Sequence, residues 1–155
     1  MGKKILIFDD NPAVRESMQS FIKEVDPSAE VVMCRDSLRA KYILQKQLEN
    51  KEQKFDLYIL DLNVSTLGLS SELARKCRGG LLTGWIFLVH VLREYDSSCM
   101  NKAVLLSDYT SELEEYLARG LRDEKLLYEQ LRKNNAILRK SGGLSSLKHF
   151  ILTGD

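Results

Sequence analysis

The sequence contains little that would cross-link the chain, bend it or carry it across a membrane. Of its 155 residues, 3 are cysteine and 2 are proline. An odd number of cysteines without metal-ligand or redox spacing predicts free thiols and a reducing compartment. The longest apolar stretch, Leu81–Leu92, is interrupted by threonine, glycine and histidine, so it does not predict a membrane-spanning helix. The apolar run before Asp9 is too short for the core of a signal peptide.

Neither sign of charge is in excess. The chain has 23 basic and 22 acidic residues, a net charge of +1 and a mass of 17.8 kDa. This balance argues against recruitment of nucleic acid or anionic lipid by overall charge. The length predicts one compact domain over residues 1–155, without room for a separate output domain. We therefore expect a soluble, cytoplasmic protein that contacts neither nucleic acid nor a membrane directly.

Short apolar runs alternate with helical patterns along the whole chain. Continuous runs of apolar residues, rich in branched side chains, are typical of parallel strands that are buried on both faces. The predicted strands are Ile5–Phe8, Val31–Cys34, Phe55–Leu60, Ala103–Leu106 and Ala136–Leu138. Their alternation with helices predicts an α/β fold, a doubly wound parallel sheet with helices on both faces and right-handed crossovers.

Capping residues and apolar side chains at helical spacing predict the helices. Asn11 and Pro12 begin the first helix, and Asp36 or Ser37 caps the second. Two more helices are predicted over Trp85–Tyr95 and Leu144–Leu152.

Two stretches are longer than such a fold requires. The first, Val64–Thr83, predicts a short helix that is capped by Ser70 and stops at Gly79. The second, Ser111–Lys133, predicts two helices divided near Gly120. We interpret the basic residues at the end of the short helix as a solvated cluster that complements its dipole, with a lid over the site as the alternative. That cluster is Arg75, Lys76 and Arg78.

Polar residues follow the ends of four predicted strands. They are Asp9, Asp10, Asp61, Ser107 and Lys140. The carboxyl ends of neighbouring parallel strands open into one crevice, so we expect these side chains to meet there. Two carboxylates about 4 Å apart repel by roughly 4 kcal/mol at an effective dielectric near 20, so a cluster of three requires a cation or protons. Mg²⁺ is the predicted cation, and the hydroxyl and ammonium groups suit a phosphoryl group, so the set predicts phosphoryl transfer.

These five positions, in this order, resemble the motif of the receiver domain of bacterial two-component response regulators. That family has an acidic pair after strand 1, an aspartate after strand 3, a serine or threonine after strand 4 and a lysine after strand 5. The resemblance spans nearly the entire chain. It implies a flavodoxin-like (βα)5 fold with strand order 2-1-3-4-5, and it places the two long stretches as insertions after strand 3 and around helix 4.

The resemblance also implies roles for individual residues. Asp61 would accept a phosphoryl group from a phosphohistidine, and Ser107 and Lys140 would contact the phosphoryl oxygens. Asp9, Asp10, Asp61 and the backbone carbonyl of Asn63 would bind Mg²⁺. The implied partners are a sensor histidine kinase or phosphotransfer protein and an unidentified downstream protein, and a homodimer is compatible with the family. The implied chain is a signalling phosphoacceptor and not a conventional enzyme.

Three positions depart from the family pattern. Asp108 stands where the residue after the switch hydroxyl is usually small, Ile137 replaces a common aromatic residue, and Ser141 replaces a proline that follows the lysine. We expect a trans peptide bond before Ser141, because a cis bond to a residue other than proline costs about 2.5–4 kcal/mol. These departures favour the alternative of a pseudo-receiver that signals without phosphate, whereas the five retained polar positions argue against it. A phosphohydrolase with an aspartyl nucleophile is less favoured, because such enzymes carry an Asp-x-Asp arrangement in place of Asp9-Asp10.

Overall fold

The computed structural model describes residues 2–108 and 110–153, and within them five strands form one parallel sheet. The strands are β1 (Lys4–Phe8), β2 (Glu30–Cys34), β3 (Leu57–Leu60), β4 (Ala103–Leu106) and β5 (Ile137–Leu138). Their order across the sheet is β2-β1-β3-β4-β5. The predicted α/β class, the all-parallel sheet and the 2-1-3-4-5 order are therefore confirmed.

Helices connect the strands and cover the sheet. The α-helices are α1 (Pro12–Val25), α2 (Ser37–Glu49), α3 (Ser71–Lys76), α4 (Thr83–Phe87), α5 (Arg93–Tyr95), α6 (Thr110–Ala118), α7 (Arg122–Lys133) and α8 (Lys148–Thr153). A π-helical turn, Leu88–Leu92, joins α4 to α5. Single-turn 3-10 segments lie at Cys99–Asn101, Lys140–Gly142 and Leu144–Leu147. The final helix predicted from Leu144 is thus divided between a 3-10 segment and α8.

The first two helices begin where short polar side chains satisfy their free N–H groups. The Asn11 side chain accepts hydrogen bonds from Ala13 N and Val14 N, and Pro12 occupies the first helical position. The Asp36 side chain accepts from Arg39 N, which identifies Asp36 as the cap of α2. Both helices therefore leave the sheet at defined points directly after β1 and β2.

The register of the central strands sets the position of the residues that follow them. Phe8 of β1 pairs with Leu60 of β3, and both residues are fully buried. The Phe8 ring also stacks on Phe87 of α4, with ring centroids 4.4 Å apart. Because a shift by one residue would turn every side chain to the opposite face, this packing fixes the register. Asp9 and Asp61 consequently leave adjacent strands at the same level.

The helix predicted to begin at Trp85 begins two residues earlier, at Thr83, because its first turn is anchored to the loop after β3. Gly84 N donates a hydrogen bond to Leu62 O over 3.0 Å. A Cβ atom at Gly84 would lie only 1.9 Å from Asp61 O, so only glycine allows this approach. The glycine therefore lets the helix contact the backbone of the predicted phosphoacceptor directly.

The insertion helices α6 and α7 are separated at Gly120 as predicted, and α7 is held by a buried carboxylate. Glu124 accepts hydrogen bonds from Trp85 Nε1 at 2.8 Å and from the Tyr116 hydroxyl at 3.2 and 3.3 Å. His90 Nε2 lies 3.9 Å from Glu124 and has no hydrogen-bond partner among the described residues. Burial lowers the pKa of His90, although Glu124 opposes that shift. His90 is thus a partly buried residue that packs beside Glu124.

The helix in the insertion after β3 ends earlier than predicted. Helix α3 stops at Lys76, with Cys77 as its cap, so Gly79 lies beyond the helix end. Arg78 has a left-handed conformation (φ 50°), and its guanidinium lies 3.7 Å from Glu112 and 3.9 Å from Glu115. This basic residue therefore joins the two insertions.

The predictions of free thiols and of a trans peptide bond before Ser141 hold in the described residues. All three cysteines are buried free thiols. No peptide bond in that part of the chain is cis. In the same ranges, every helix is too short or too polar to cross a lipid bilayer.

Candidate functional site

The site lies where β1 and β3 end side by side. Asp61 N donates to Phe8 O at 2.9 Å and Asp9 N donates to Cys34 O at 3.0 Å, which extends the sheet hydrogen bonding to both aspartates. Asp9 is 1% exposed and Asp61 is 7% exposed. Two carboxylates are thus held by rigid backbone at the crevice of the sheet, where α/β folds bind ligands.

Lys140 joins these two carboxylates. Its Nζ lies 2.8 Å from Asp9 Oδ2 and 2.9 Å from Asp61 Oδ2. The lysine follows β5 and begins the 3-10 segment Lys140–Gly142, so three strand ends supply the three side chains. Charge-assisted hydrogen bonds at these lengths are strong and orient both partners.

Burial disfavours the charge of Asp61. Loss of hydration raises the pKa of Asp61, and the negative charge of Asp9 adds to that rise. The hydrogen bond from Lys140 and a backbone hydrogen bond from Asn63 act in the opposite direction without cancelling it. For Lys140, burial lowers the pKa, but its hydrogen bonds to Asp9 and Asp61 outweigh burial and raise it. The lysine therefore remains a cation beside a carboxylate that is short of positive partners.

The remaining contacts of Asp9 fix its position. Asp9 Oδ1 accepts a hydrogen bond from Asn11 N at 2.9 Å, and Asp9 O accepts one from Arg15 Nη1 at 2.8 Å. Arg15 was not predicted as a site residue. Its side chain reaches back from the first turns of α1 toward the strand end, which is the direction in which helical side chains point. The only signal for this contact in the sequence is the separation of 6 residues between Asp9 and Arg15.

The structure turns Asp10 toward the insertion after β3. Asp10 is exposed, and its Oδ2 accepts a hydrogen bond from Ser65 N at 3.0 Å. Asn63 has an exposed side chain, and its backbone N–H bonds to Asp61. The geometry therefore brings together Asp9, Asp61 and Lys140, while Asp10 contacts the backbone of the following loop.

The two residues after β4 differ in environment. Ser107 is fully buried, and its backbone N–H donates to Leu138 O at 2.9 Å. Asp108 is exposed, and its Oδ1 accepts hydrogen bonds from Ser141 N at 3.1 Å and from Ser141 Oγ at 2.9 Å. These hydrogen bonds lower the pKa of Asp108. The extra carboxylate is thus engaged by the serine that stands in place of the family's proline.

The donor set has the chemistry that a hard divalent cation requires. Asp9 and Asp61 present buried carboxylate oxygens, and Lys140 neutralises only one of their two charges. Oxygen ligands with a residual negative charge fit Mg²⁺, which retains several waters when few protein ligands are present. The described residues contain no group of three or more carboxylate, histidine or cysteine side chains arranged to hold a metal. The fit therefore rests on two carboxylates, supplemented by backbone oxygen and water.

Comparisons of structure place the chain among proteins of one fold. It is similar to the bacteriophytochrome response regulator AtBRR, with a TM-score of 0.58 and 18% identity over 97% of this chain and 89% of that one. It is also similar to the Mn²⁺-bound form of response regulator Rcp1, with a TM-score of 0.51 and 22% identity over 96% of this chain and 88% of that one. Comparison of the sequence with protein-family models and with curated proteins gave no match. The chain thus has the receiver fold, as its resemblance to response regulators predicted.

Proposed function

We propose that this chain is a phosphoaccepting receiver, in which Asp61 takes a phosphoryl group from a phosphohistidine. The observation that carries the proposal is the Lys140 ammonium bound to both Asp9 and Asp61 at the carboxyl edge of a receiver fold. The implied donor is a sensor histidine kinase or a phosphotransfer protein. Signalling then consists of altered binding to a downstream protein, and the chain acts as a phosphoacceptor and not as a conventional enzyme.

The reaction needs little more from the protein than position and charge. An Asp61 oxygen attacks phosphorus as the P–N bond to the donor imidazole breaks, and the product is a mixed anhydride on the Asp61 side chain. The anhydride moves the negative charge from the buried Asp61 carboxylate onto the phosphoryl oxygens and increases it, so the reaction depends on cations at the site. Asp61 is held in place by its backbone hydrogen bond to Phe8.

Lys140 serves as the cation for the transferred group. In the present geometry it is bound to the oxygens of Asp9 and Asp61. Once Asp61 carries a phosphoryl group, the same ammonium can follow the negative charge onto the phosphoryl oxygens. Ser107, buried after β4, supplies a hydroxyl for those oxygens in this proposal. Asp108 remains outside the reaction because Ser141 binds it.

Mg²⁺ is the cofactor in this proposal, with Asp9, Asp10, Asp61 and the carbonyl of Asn63 as its protein ligands. When bound, it neutralises charge on the phosphoryl oxygens. For Asp10 to take part, its side chain must leave Ser65 N, from which it now accepts a hydrogen bond at 3.0 Å. Binding of Asp10 to the cation would therefore remove its hydrogen bond to the loop after β3.

Intact mass measured after incubation with Mg²⁺ and a small phosphodonor tests the proposal. We expect the chain to gain one phosphoryl group that is stable in acid and labile in base. Asp61→Asn should abolish the gain, because an amide cannot form the anhydride. Asp123→Asn is the matched control, since Asp123 is an exposed aspartate in the first turn of α7, and it should gain the group normally. Uptake by Asp61→Asn would contradict the assignment.

A phosphate-independent interaction module is the second candidate, and one observation favours it. Lys140 already bridges Asp9 and Asp61, and Asp10 is bound by the loop, so the described residues show no three-carboxylate cluster. Titration with Mg²⁺ and beryllofluoride while Trp85 fluorescence is recorded separates the two candidates. A saturable change that Asp61→Asn abolishes supports the receiver, and no response in mass or fluorescence supports the module.

A further inference from the structure

A basic cleft lies at the end of β2, lined by residues of α1 and α2, and Arg15 links it to Asp9 of the acidic site. It is open to solvent and has a volume of about 560 Å³. This volume falls within the range of sites for small organic ligands, which is roughly 300–1,000 Å³. The residues that line it, called the arginine cleft below, are Arg15, Met33, Arg35, Asp36, Leu38, Arg39 and Tyr42.

The three arginines of the arginine cleft outnumber its acidic groups. Asp36 is the one acidic residue that lines it, and both of its oxygens are in use. Asp36 Oδ1 accepts the hydrogen bond from Arg39 N that caps α2, and Asp36 Oδ2 lies 3.5 Å from Arg35 Nε. The cleft therefore retains an excess of positive charge, although the chain as a whole is almost neutral.

Two of the guanidinium groups that line the cleft lie close enough to the end of β2 to influence its last residue, Cys34. Burial raises the pKa of the Cys34 thiol to about 12, and Arg39 and Arg15 both act against that rise through their charge. Arg15 belongs to α1 and Arg39 to α2, so two helices contribute a cation to the lining of the cleft. Like charges that line one cleft repel each other, and an anion bound between them relieves that repulsion.

The walls of the arginine cleft are apolar and aromatic. Leu38 is 57% exposed and Tyr42 is 56% exposed, which is unusual for side chains of their size on one helix face. The Arg39 guanidinium lies over the Tyr42 ring, 5.5 Å from its centroid, so the plane of this cation is already oriented. A ligand that fits these walls therefore combines a flat apolar ring with an anionic group.

We propose that the arginine cleft binds a nucleotide, with its phosphates on the three guanidinium groups and its base against Met33, Leu38 and Tyr42. Arginine suits phosphate because its planar fork donates two parallel hydrogen bonds. The site is distinct from the phosphoacceptor, which is acidic and repels a free nucleotide anion in the absence of a divalent cation.

A ligand bound in the arginine cleft would affect the acidic site through one side chain, Arg15. Arg15 Nη1 donates to Asp9 O at 2.8 Å, so a phosphate in the cleft competes for the guanidinium that holds this carbonyl. The nucleotide thus acts on the residue that shares Lys140 with Asp61. This coupling goes beyond the proposed phosphoryl transfer and does not depend on it.

Calorimetric titration of the full chain with ADP, GDP and UDP in EDTA tests the proposal. EDTA removes divalent cations, so failure of the phosphoacceptor proposal would leave this experiment unaffected. At least one nucleotide should bind at a single site. Adenosine and inorganic phosphate, used as separate probes, should each bind at least tenfold more weakly than ADP, because each supplies only half of the contacts.

Substitution of the exposed arginines locates the site. Arg35→Ala and Arg39→Ala should each weaken nucleotide binding about tenfold, since each removes a charge-assisted hydrogen bond. Arg119→Ala is the matched control, because Arg119 is an exposed arginine on the far insertion, and it should leave affinity unchanged. Amide shifts in an NMR titration should be confined to residues 9–15 and 33–42.

Three results would overturn the proposal. The first is no saturable binding of any of the three nucleotides at millimolar concentration. The second is nucleotide binding that survives the Arg35→Ala, Arg39→Ala double variant, and the third is an equal loss in the Arg119→Ala control. Circular dichroism and the melting temperature of each variant establish that it is folded, so loss of binding in a folded double variant with a normal control supports the site.

Discussion

Two buried aspartates in this molecule, Asp61 and Asp96, each have a lysine partner, yet their surroundings affect them in opposite ways. Asp96 is 2% exposed and Asp61 is 7% exposed, so burial alone raises the pKa of both. The pKa of Asp96 is nevertheless lowered to about 2, whereas that of Asp61 is raised. The difference comes from the number of donors and the neighbouring charge.

The Asp96 carboxylate accepts four hydrogen bonds. Its Oδ2 accepts from the Tyr58 hydroxyl at 2.7 Å and from Lys102 Nζ at 3.0 Å. Its Oδ1 accepts from Ser98 N at 3.1 Å and from Ser98 Oγ at 2.7 Å. Asp61, by contrast, shares its lysine with Asp9. The donors make Asp96 a stabilising element between β3 and the residues before β4, whereas the ionised form of Asp61 opposes folding.

Replacement of Lys140 and of Lys102 should reveal the largest difference between the two sites, measured as the loss in the free energy of unfolding. Lys140→Met leaves two buried carboxylates without a cation, and we expect a loss of about 2–3 kcal/mol in the free energy of unfolding, reduced from the value for a fully buried pair because Lys140 is partly exposed. Lys102→Met leaves Asp96 three other donors and should cost about 1 kcal/mol. Urea denaturation at pH 7 measures both. Equal losses would remove the distinction between the two sites.

Loss of the Asp96 carboxylate should have the next largest effect. A shift from 3.8 to about 2 corresponds to about 2 kcal/mol at neutral pH. Because the folded pKa is depressed, this stability is present above the unfolded value of 3.8 and is lost as pH falls toward 2. Asp96→Asn should therefore be destabilised by about 2 kcal/mol at pH 7 and should differ little from the parent near pH 2. Urea titrations at the two pH values measure this, and a gap that is the same at both would exclude the role assigned to the charge.

Asp61→Asn should stabilise the protein at neutral pH, by less than Asp96→Asn destabilises it. The raised pKa means that ionised Asp61 opposes folding at neutral pH, and this penalty disappears as pH falls below the unfolded value of 3.8. The variant should accordingly be more stable than the parent at pH 7, by less than Asp96→Asn is destabilised, and the gain should vanish near pH 3. Thermal melts across this range provide the measurement. A loss of stability at pH 7 would show that Lys140 and Asn63 outweigh burial.

Removal of the Asp10 contact should have the smallest effect on stability and a clear effect on cation affinity. Asp10 is exposed and accepts one hydrogen bond, from Ser65 N, so Asp10→Asn should change the free energy of unfolding by no more than about 0.5 kcal/mol. Under the proposed function the same variant should weaken Mg²⁺ binding at least tenfold, as followed by Trp85 fluorescence. Unchanged Mg²⁺ affinity would remove Asp10 from the ligand set.

The sequence predicted those parts of the site that depend on strand ends. Parallel pairing carries Asp9, Asp61 and Lys140 to one edge whatever the insertions do, so an apolar run followed by a polar residue was sufficient. The contact of Asp10 with Ser65 depends on the path of a loop that has no periodic pattern, and no sequence signal specified it.

For the helical insertions, the sequence predicted the helices but not the contacts that they make. Apolar spacing and Gly120 predicted the division between α6 and α7. The hydrogen bond from Trp85 to Glu124 depends on how α7 packs on α4, which joins residues 39 positions apart. Likewise, the early start of α4 at Thr83 follows from the close approach of Gly84 to Asp61, a tertiary contact that overrides local propensity.

Chemical trapping of the phosphorylated residue tests whether Asp61 is the phosphoacceptor. Borohydride reduces an aspartyl phosphate to homoserine, so treatment after phosphorylation in Mg²⁺, followed by peptide mass spectrometry, identifies the carboxylate that reacted. We expect homoserine at position 61 alone, with Asp9, Asp10 and Asp96 unchanged. Homoserine at one of those three positions, or a chain that takes up no phosphoryl group at all, would contradict the assignment of Asp61 as the phosphoacceptor.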